Sequence, residues 1–510
     1  LHDSEEILVS CTTILIGKDA SADGSPIIAR NEDSSNGEFT PKRVVVVHPD
    51  DQPRTYTSVL SHVIVELPDD PMRYTAAPNA LPGEGIWGEA GINAANVAMS
   101  ATETLTTNAR VLGADPFVEY RPAQGTPGEP GCVPERAGGI GEEDFVTLVL
   151  PYIHTAREGV LRLGALLERY GTYEMNGVAF SDADDIWWLE TVGGHHWIAR
   201  RVPDDQYVTM PNQLGLDTFD LDDAEGEGRE FLASADLREF IAAHHLNLSF
   251  DGALNPRTAF GSHSDADHVY NTPRAWYMQR TLNPHSGEWD GPAPRFTPFS
   301  DDLPWGRVPE RRLTIEDVKE VLSSHYQGTP YDPYSHEGTQ ASRSLLRPIG
   351  INRHSQLSIL QVRRGVPAAL AGIQWVAFAS NPFNTLIPLF TSVDDIPDYL
   401  SRTTGRVSTD DFYWASRLIA VLGDAHFDEL APAIERYQQA TLAAGHAAIA
   451  AVDAQAGALQ AEPAGVVHSR LGEANEQIAA QVRRATDALL SELLLTASNL
   501  MRNRYSRSDG

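Results

Sequence analysis

Cys11 opens the β-branched run Cys11-Thr12-Thr13-Ile14-Leu15-Ile16-Gly17, and a second run, Ile27-Ile28-Ala29-Arg30-Asn31-Glu32-Asp33, carries a guanidinium and a carboxylate three residues apart. The turn-forming Ser21-Ala22-Asp23-Gly24-Ser25 between them predicts two paired strands, with thiol, cation and carboxylate at neighbouring strand ends. Ten residues precede Cys11. A cut after Ser10 would therefore leave one residue with both a thiol and a free α-amino group. Reference pKa values of ~8.5 for a thiol and ~7.7 to 8 for an α-amino group are close enough for the amine to take the thiol proton near neutral pH. Arg30 would favour the thiolate, and Asp33 would hydrogen-bond the amine and orient it. The alternative is that Cys11 is a small buried hydrophobe at the start of a strand, the usual situation of a free cysteine.

Further blocks bear on that choice. Cys11-Thr-Thr-Ile-Leu, Asp23-Gly-Ser25 and Ala29-Arg-Asn-Glu-Asp33 resemble the amino terminus of the dipeptidase A family of cysteine peptidases, which are N-terminal nucleophile hydrolases. Trp87-Gly-Glu-Ala-Gly-Ile-Asn93, Ser100-Ala-Thr-Glu-Thr104, Gly138-Gly-Ile-Gly-Glu-Glu-Asp144, Tyr173-Glu-Met-Asn-Gly-Val-Ala-Phe180, Ile186-Trp-Trp-Leu-Glu-Thr191, Gly193-Gly-His-His-Trp197 and Phe412-Tyr-Trp-Ala-Ser-Arg417 extend the resemblance past residue 417. It implies a four-layer αββα sandwich of the N-terminal nucleophile type, with helical insertions and a helical carboxyl end. It also implies hydrolysis of dipeptides with a free amino terminus, and a cysteine exposed by autocatalytic loss of residues 1–10. An alternative start or an expression scar is the other reading of that segment. Two other functions are weighed: an amidase of the penicillin V acylase or bile-salt hydrolase type, and a secernin-like interaction protein without catalysis.

The resemblance also nominates site residues. Asn212, in Pro211-Asn212-Gln213, would donate its amide to the tetrahedral oxyanion; read alone, an Asn after a strand is a turn residue. Arg274, in Tyr270-Asn-Thr-Pro-Arg-Ala-Trp276, is a second candidate for the arginine supporting the nucleophile, with a surface salt bridge as the favoured reading. Trp87-Gly-Glu-Ala-Gly-Ile-Asn93 is either pocket wall or a Gly-rich hairpin. The acidic Gly141-Glu-Glu-Asp144 suits a helix N-terminus, the alternative being a carboxylate that holds a substrate ammonium. His195 and His196 should point to opposite sides of a strand, a poor arrangement for one metal, so no metal and no cofactor are assigned.

Elements able to position such a site follow from pattern and composition. The 510 residues are 42% hydrophobic and 21% charged, enough for a large core. The net charge of -31 disfavours nucleic acid and anionic membrane surfaces, leaving small dipeptides as expected partners, together with a second copy of the chain in a homo-oligomer. Two cysteines make no disulfide framework, and Cys132 lies in a Pro/Gly-rich loop without metal-ligand spacing. With no apolar run approaching the roughly 20 residues of a membrane span, a cytoplasmic location is expected. Short β-type runs dominate residues 11–105, two helical runs occupy 145–154 and 155–170, and a strand pair falls at 175–180 and 185–191. The acidic stretch 216–230 reads as a solvated loop. A helix over 314–326 is opened by Thr314 and Asp317, strands fall at 358–363 and 374–379, and Ala-rich helices at 431–451 and 471–501. The expected organisation is a propeptide (1–10), a hydrolase core (11–405) and a helical region packed on it (406–510).

Overall fold

The computed structural model describes residues 11–34, 39–126 and 128–501, so the expected propeptide lies outside the described residues. In chain order the strands are β1 (Thr12–Ile16), β2 (Ile27–Asp33), β3 (Val45–Val47), β4 (Thr55–Thr57), β5 (Ile64–Glu66), β6 (Tyr74–Ala76), β7 (Ala90–Ile92), β8 (Ala98–Thr104) and β9 (Asn176–Ser181). They continue as β10 (Ile186–Thr191), β11 (Trp197–Arg201), β12 (Tyr207–Met210), β13 (Phe231–Ala233), β14 (Gly306–Arg307), β15 (His354–Val362), β16 (Gly372–Phe378) and β17 (Ile387–Phe390). A seven-stranded sheet runs β14-β12-β1-β2-β15-β16-β17 and a six-stranded sheet β13-β11-β10-β9-β8-β7, with β3-β6 and β4-β5 as separate pairs. Neighbouring strands in both larger sheets are antiparallel.

Side-chain alternation explains how the sheets pack. Leu15, Ile28, Val208 and Leu360 from one face of the larger sheet share a core with Ala98, Ala179, Trp188 and Ile198 of the smaller one. Their neighbours in sequence turn the other way. Ile14, Ile16, Ala29, Leu357 and Ile359 pack against Met278 of the helix Thr272–Leu282, Val318 and Leu322 of the helix Ile315–Leu322, and Leu471 and Ile478 of the helix Ala464–Leu500. On the far side of the smaller sheet, Val178, Phe180, Leu189 and Trp197 meet the helices Glu142–Val149 and Ala156–Tyr170 through Phe145, Val149, Val160 and Leu163. Burial on both faces is why β1, β2 and β15 read as nearly continuous buried runs.

Several boundaries differ from the sequence expectation. The helix expected from residue 145 begins at Glu142, because Asp144 accepts a hydrogen bond from the Gly141 N–H and satisfies the first turn. The stretch 216–230 is not simply a solvated loop. Leu216 and Phe219 are buried, and Asp220 caps a short helix, Leu221–Glu225, by accepting from the N–H groups of Asp222 and Asp223. The carboxyl-terminal helices are Phe412–Ala425, Phe427–Asp453 and Ala464–Leu500, and among the described residues no helix is long and apolar enough to cross a membrane.

Two stability predictions follow from this packing. A Cβ on Gly159 would overlap the ring of Phe180, whereas one on Gly472, in the last long helix, meets nothing within 4 Å. Gly→Ala in a helix interior gains about 1 kcal/mol from propensity, and overpacking costs about 1 to 3 kcal/mol. In denaturant unfolding Gly159→Ala should therefore lower the midpoint and Gly472→Ala raise it. Separately, burial pushes the Glu190 carboxyl up to about 7, although Trp188 Nε1 and the N–H groups of Gly215 and Leu216 donate to it. The folded chain thus keeps a proton that the unfolded chain releases near ~4.3, and stability is lost as pH rises through that window up to about 7. Glu190→Gln, which keeps the acceptor oxygen, should flatten the fall in unfolding midpoint between pH 5 and 8 by an amount on the order of a few kcal/mol.

Candidate functional site

The β1–β2 register pairs Thr12 with Asn31 and Thr13 with Arg30, so Cys11 at the head of β1 lies beside the residues just past Arg30. Cys11 is fully buried on the side facing the smaller sheet. There Arg30 Nη2 donates to Cys11 Sγ at 2.7 Å and to Glu142 Oε1 at 2.5 Å, while Nη1 donates to Glu89 and to the Ala101 carbonyl. Four elements meet on one guanidinium. Burial alone would lower the Arg30 pKa, but the attraction of Cys11, Glu89, Glu142 and Glu32 outweighs it and holds the group charged.

Glu89 and Lys42 form the second tier. Lys42 Nζ lies 2.8 Å from Glu32 Oε1 and 3.5 Å from Glu89 Oε1, and donates to the Trp87 carbonyl at 3.1 Å. Both are buried. Trp87-Gly-Glu-Ala-Gly-Ile-Asn93 supplies Glu89 directly to Arg30. Trp87 and Glu89 both hold positive φ, 49° and 61°, in a region where bulky residues are strained. The sequence marks the block that holds Glu89 but gives that carboxylate no role, and it gives no sign of Lys42. A lysine and a glutamate in separate loops carry no local signal of burial.

The acidic Gly141-Glu-Glu-Asp144 does three different things. Glu142 pairs with Arg30; Glu143 accepts from Ser58 Oγ at 3.0 Å and the Val59 N–H at 2.9 Å; Asp144 caps the helix and accepts from Tyr56 Oη at 2.7 Å. Glu174 accepts from the Glu142 N–H at 2.7 Å, and burial together with the Glu142 charge pushes its carboxyl up to about 8. Glu32 is likewise raised well above the usual carboxylate range by burial and by Glu89, with Lys42 opposing.

Arg274 sits against the opposite face of β1 and reaches Asn212, which follows β12. Arg274 is fully buried on the helix Thr272–Leu282, which corrects its favoured assignment to a surface salt bridge. Its Nη1 donates to the Cys11 carbonyl and, at 2.7 Å, to Thr12 Oγ1; its Nη2 donates to Asn212 Oδ1 at 2.6 Å and Asn271 Oδ1 at 2.7 Å. Asn212, one residue past β12, donates from Nδ2 to the Thr104 carbonyl at 2.8 Å. Cys11 is thus gripped at its thiol by Arg30 and at its main chain by Arg274.

Asp33 falls on the other face of β2 from Arg30, as a three-residue separation in a strand requires. The structure places it with Arg347, which donates to Oδ2, and with His354, whose Nε2 lies 3.1 Å from Oδ1; burial pulls the His354 pKa down to about 4. His195 and His196 do not diverge as expected. They precede β11 in a bend, where strand alternation does not apply, and both rings converge through Nδ1 on Asp115, at 2.9 and 2.7 Å. With the N–H groups of both histidines also donating to it, Asp115 is held well below the usual carboxylate range against the effect of burial. Among the described residues no group of three or more His, Cys, Asp or Glu side chains could hold a metal ion.

Comparison with known proteins gives the family. The sequence model of peptidase family C69 matches residues 10–440. A protein of Bifidobacterium longum named dipeptidase is 57% identical over 538 aligned positions, covering 98% of this chain and 100% of the relative. A probable dipeptidase A of Streptococcus pyogenes is 55% identical, covering 98% of each chain, and dipeptidase A of Lactobacillus helveticus is 44% identical over 98% of this chain and 99% of its own. With a family match over most of its length and relatives aligned nearly end to end, the chain belongs to peptidase family C69.

Proposed function

We propose that the protein is a cysteine dipeptidase that uses Cys11 as an N-terminal nucleophile in a four-layer αββα sandwich. The observation that carries this reading is the 2.7 Å contact between Arg30 Nη2 and Cys11 Sγ at the buried head of a central strand. A cation at that distance favours the thiolate, and a structural cysteine needs none. The names of the relatives supply the substrate class.

The chemistry proceeds in two stages. In maturation, Cys11 Sγ attacks the Ser10 carbonyl carbon, the Ser10–Cys11 C–N bond gives way to a thioester, and water hydrolyses it, releasing residues 1–10 and a free Cys11 amine. In turnover, that amine takes the thiol proton as Sγ attacks the scissile carbonyl, then passes it to the leaving amino group. Water, deprotonated by the same amine, hydrolyses the acyl-enzyme and regenerates the thiol. Arg30 supports the thiolate, Arg274 fixes the Cys11 main chain and the Asn212 side chain, and Asp33, held by Arg347 beside His354, is assigned the orientation of the amine. An amide carries two N–H groups, and the one that Asn212 does not give to Thr104 would serve the oxyanion.

Intact mass and amino-terminal sequencing, with hydrolysis of a dipeptide panel, test the reading. Wild type should begin at Cys11 and cleave dipeptides in preference to acylated amines, while Cys11→Ala should retain residues 1–10 and cleave nothing. A wild type that keeps its leader and still turns over dipeptides would remove the α-amino group as the base. Asn212→Ala should lower kcat by roughly 10²- to 10³-fold with little change in KM, as loss of one oxyanion donor does. An unchanged kcat would take Asn212 out of the reaction.

A further inference from the structure

On the helical side of the larger sheet, away from Cys11, a cavity of about 550 Å³ opens between the helix Ile315–Leu322, the β16–β17 loop and the helix Phe427–Asp453. That volume lies within the roughly 300 to 1,000 Å³ of small-molecule pockets. Lys319 is half-buried in its wall and donates to Ser323 Oγ at 2.7 Å and to the Asn381 carbonyl at 2.6 Å. Both acceptors are uncharged, and an ammonium has a third N–H to give. Among the described residues Lys319 makes no ion pair, and burial without a counter-charge pulls its pKa down to about 7. Lys319 therefore borders the cavity with one N–H left to give, and an anionic acceptor there would form a charge-assisted hydrogen bond.

The rest of the lining narrows what that anion is attached to. Glu320 and Glu435 face the same cavity from its two helices, while Glu316 is engaged by His446 at 2.6 Å. A simple organic acid would meet these carboxylates unpaired, in a chain already at -31. A molecule that also carries an ammonium would not. Phe383, Phe427 and Ile434 supply an apolar surface between the charged groups.

We propose that this cavity binds a free α-amino acid with an apolar side chain, its carboxylate on Lys319, its ammonium between Glu320 and Glu435, and its side chain against Phe383 and Phe427. The ligand lies close behind β2. Asn381, whose carbonyl holds Lys319, donates from Nδ2 to Asn31, the residue next to Arg30. Binding at this cavity does not depend on the dipeptidase reading, and a chain that hydrolysed nothing would be tested in the same way.

Calorimetric titration of the full chain with leucine tests it, using wild type, Lys319→Met and Ala431→Trp, which fills the cavity without altering Lys319. Leucine should bind wild type saturably, at least about 10-fold more weakly to Lys319→Met, and not at all to Ala431→Trp; a charge-assisted hydrogen bond has that worth. Leucine amide, which lacks the carboxylate, should bind wild type at least about 10-fold more weakly than leucine. If wild type shows no saturable binding, or if both variants bind leucine as wild type does, the proposal falls, the second outcome placing the amino acid at the Cys11 site instead. Circular dichroism and Tm establish that each variant is folded, and should Lys319→Met fail to fold, Ala431→Trp and leucine amide decide.

Discussion

One guanidinium inside protein sets the terms for the region around Cys11. The effective penalty for burying an ion is several kcal/mol, and breaking a buried pair by removing one partner costs about 3 to 5 kcal/mol. Arg30 meets that constraint by donating to a thiol, two carboxylates and a carbonyl, drawn from the head of β1, the loop before β7, β8 and the first turn of the helix Glu142–Val149. No single local segment could supply all four. The two larger sheets must therefore stack, and the helix behind the smaller one must start where it does, for Arg30 to be tolerated at all. Glu89 in turn needs Lys42, and Lys42 needs Glu32, so the requirement propagates outward until it reaches the neutral Trp87 carbonyl.

Strand alternation divides the work between two sides of the larger sheet. Cys11, Arg30 and Glu32 face the smaller sheet, whereas Thr12 and Asn31 face the helices Thr272–Leu282 and Ile315–Leu322 and Asp33 meets Arg347 and His354. Arg274, from the outer layer, holds Cys11 at its carbonyl. Thiol chemistry and main-chain placement are thereby assigned to different layers, and a change in one helix layer can shift the position of Cys11 without altering the charges around its sulfur.

Much of this was legible in the sequence, and the failures have physical reasons. β1 and β2 announce themselves as buried β-branched runs, and the ordering of Cys11, Arg30 and Asp33 along them is fixed by spacing. The opposite facing of Arg30 and Asp33 was equally available, since three residues apart in a strand means opposite sides. Arg274 reads as a surface residue because its own segment carries no sign of burial. Its burial comes from contacts with Cys11, Thr12 and Asn212, all distant in sequence. Lys42 and Glu89 were invisible for the same reason. The two histidines were placed on a strand that begins only at Trp197, so a rule valid for strands was applied to a bend.

The charge count around the thiol is itself informative. Glu32, Glu89 and Glu142 face Arg30 and Lys42, three carboxyl groups against two fixed cations, in surroundings where an unbalanced charge is expensive. Burial and repulsion from Glu89 raise the affinity of Glu32 for a proton, with Lys42 opposing. Forming a thiolate at Cys11 then adds the negative charge that the set lacks a cation to match. A cation must arrive with it, and the free α-ammonium that a cut before Cys11 would create is positioned by covalent bonds to be that cation. In the proposed mechanism, the acidic excess beside Arg30 and a nucleophile that carries its own amine belong to the same electrostatic solution.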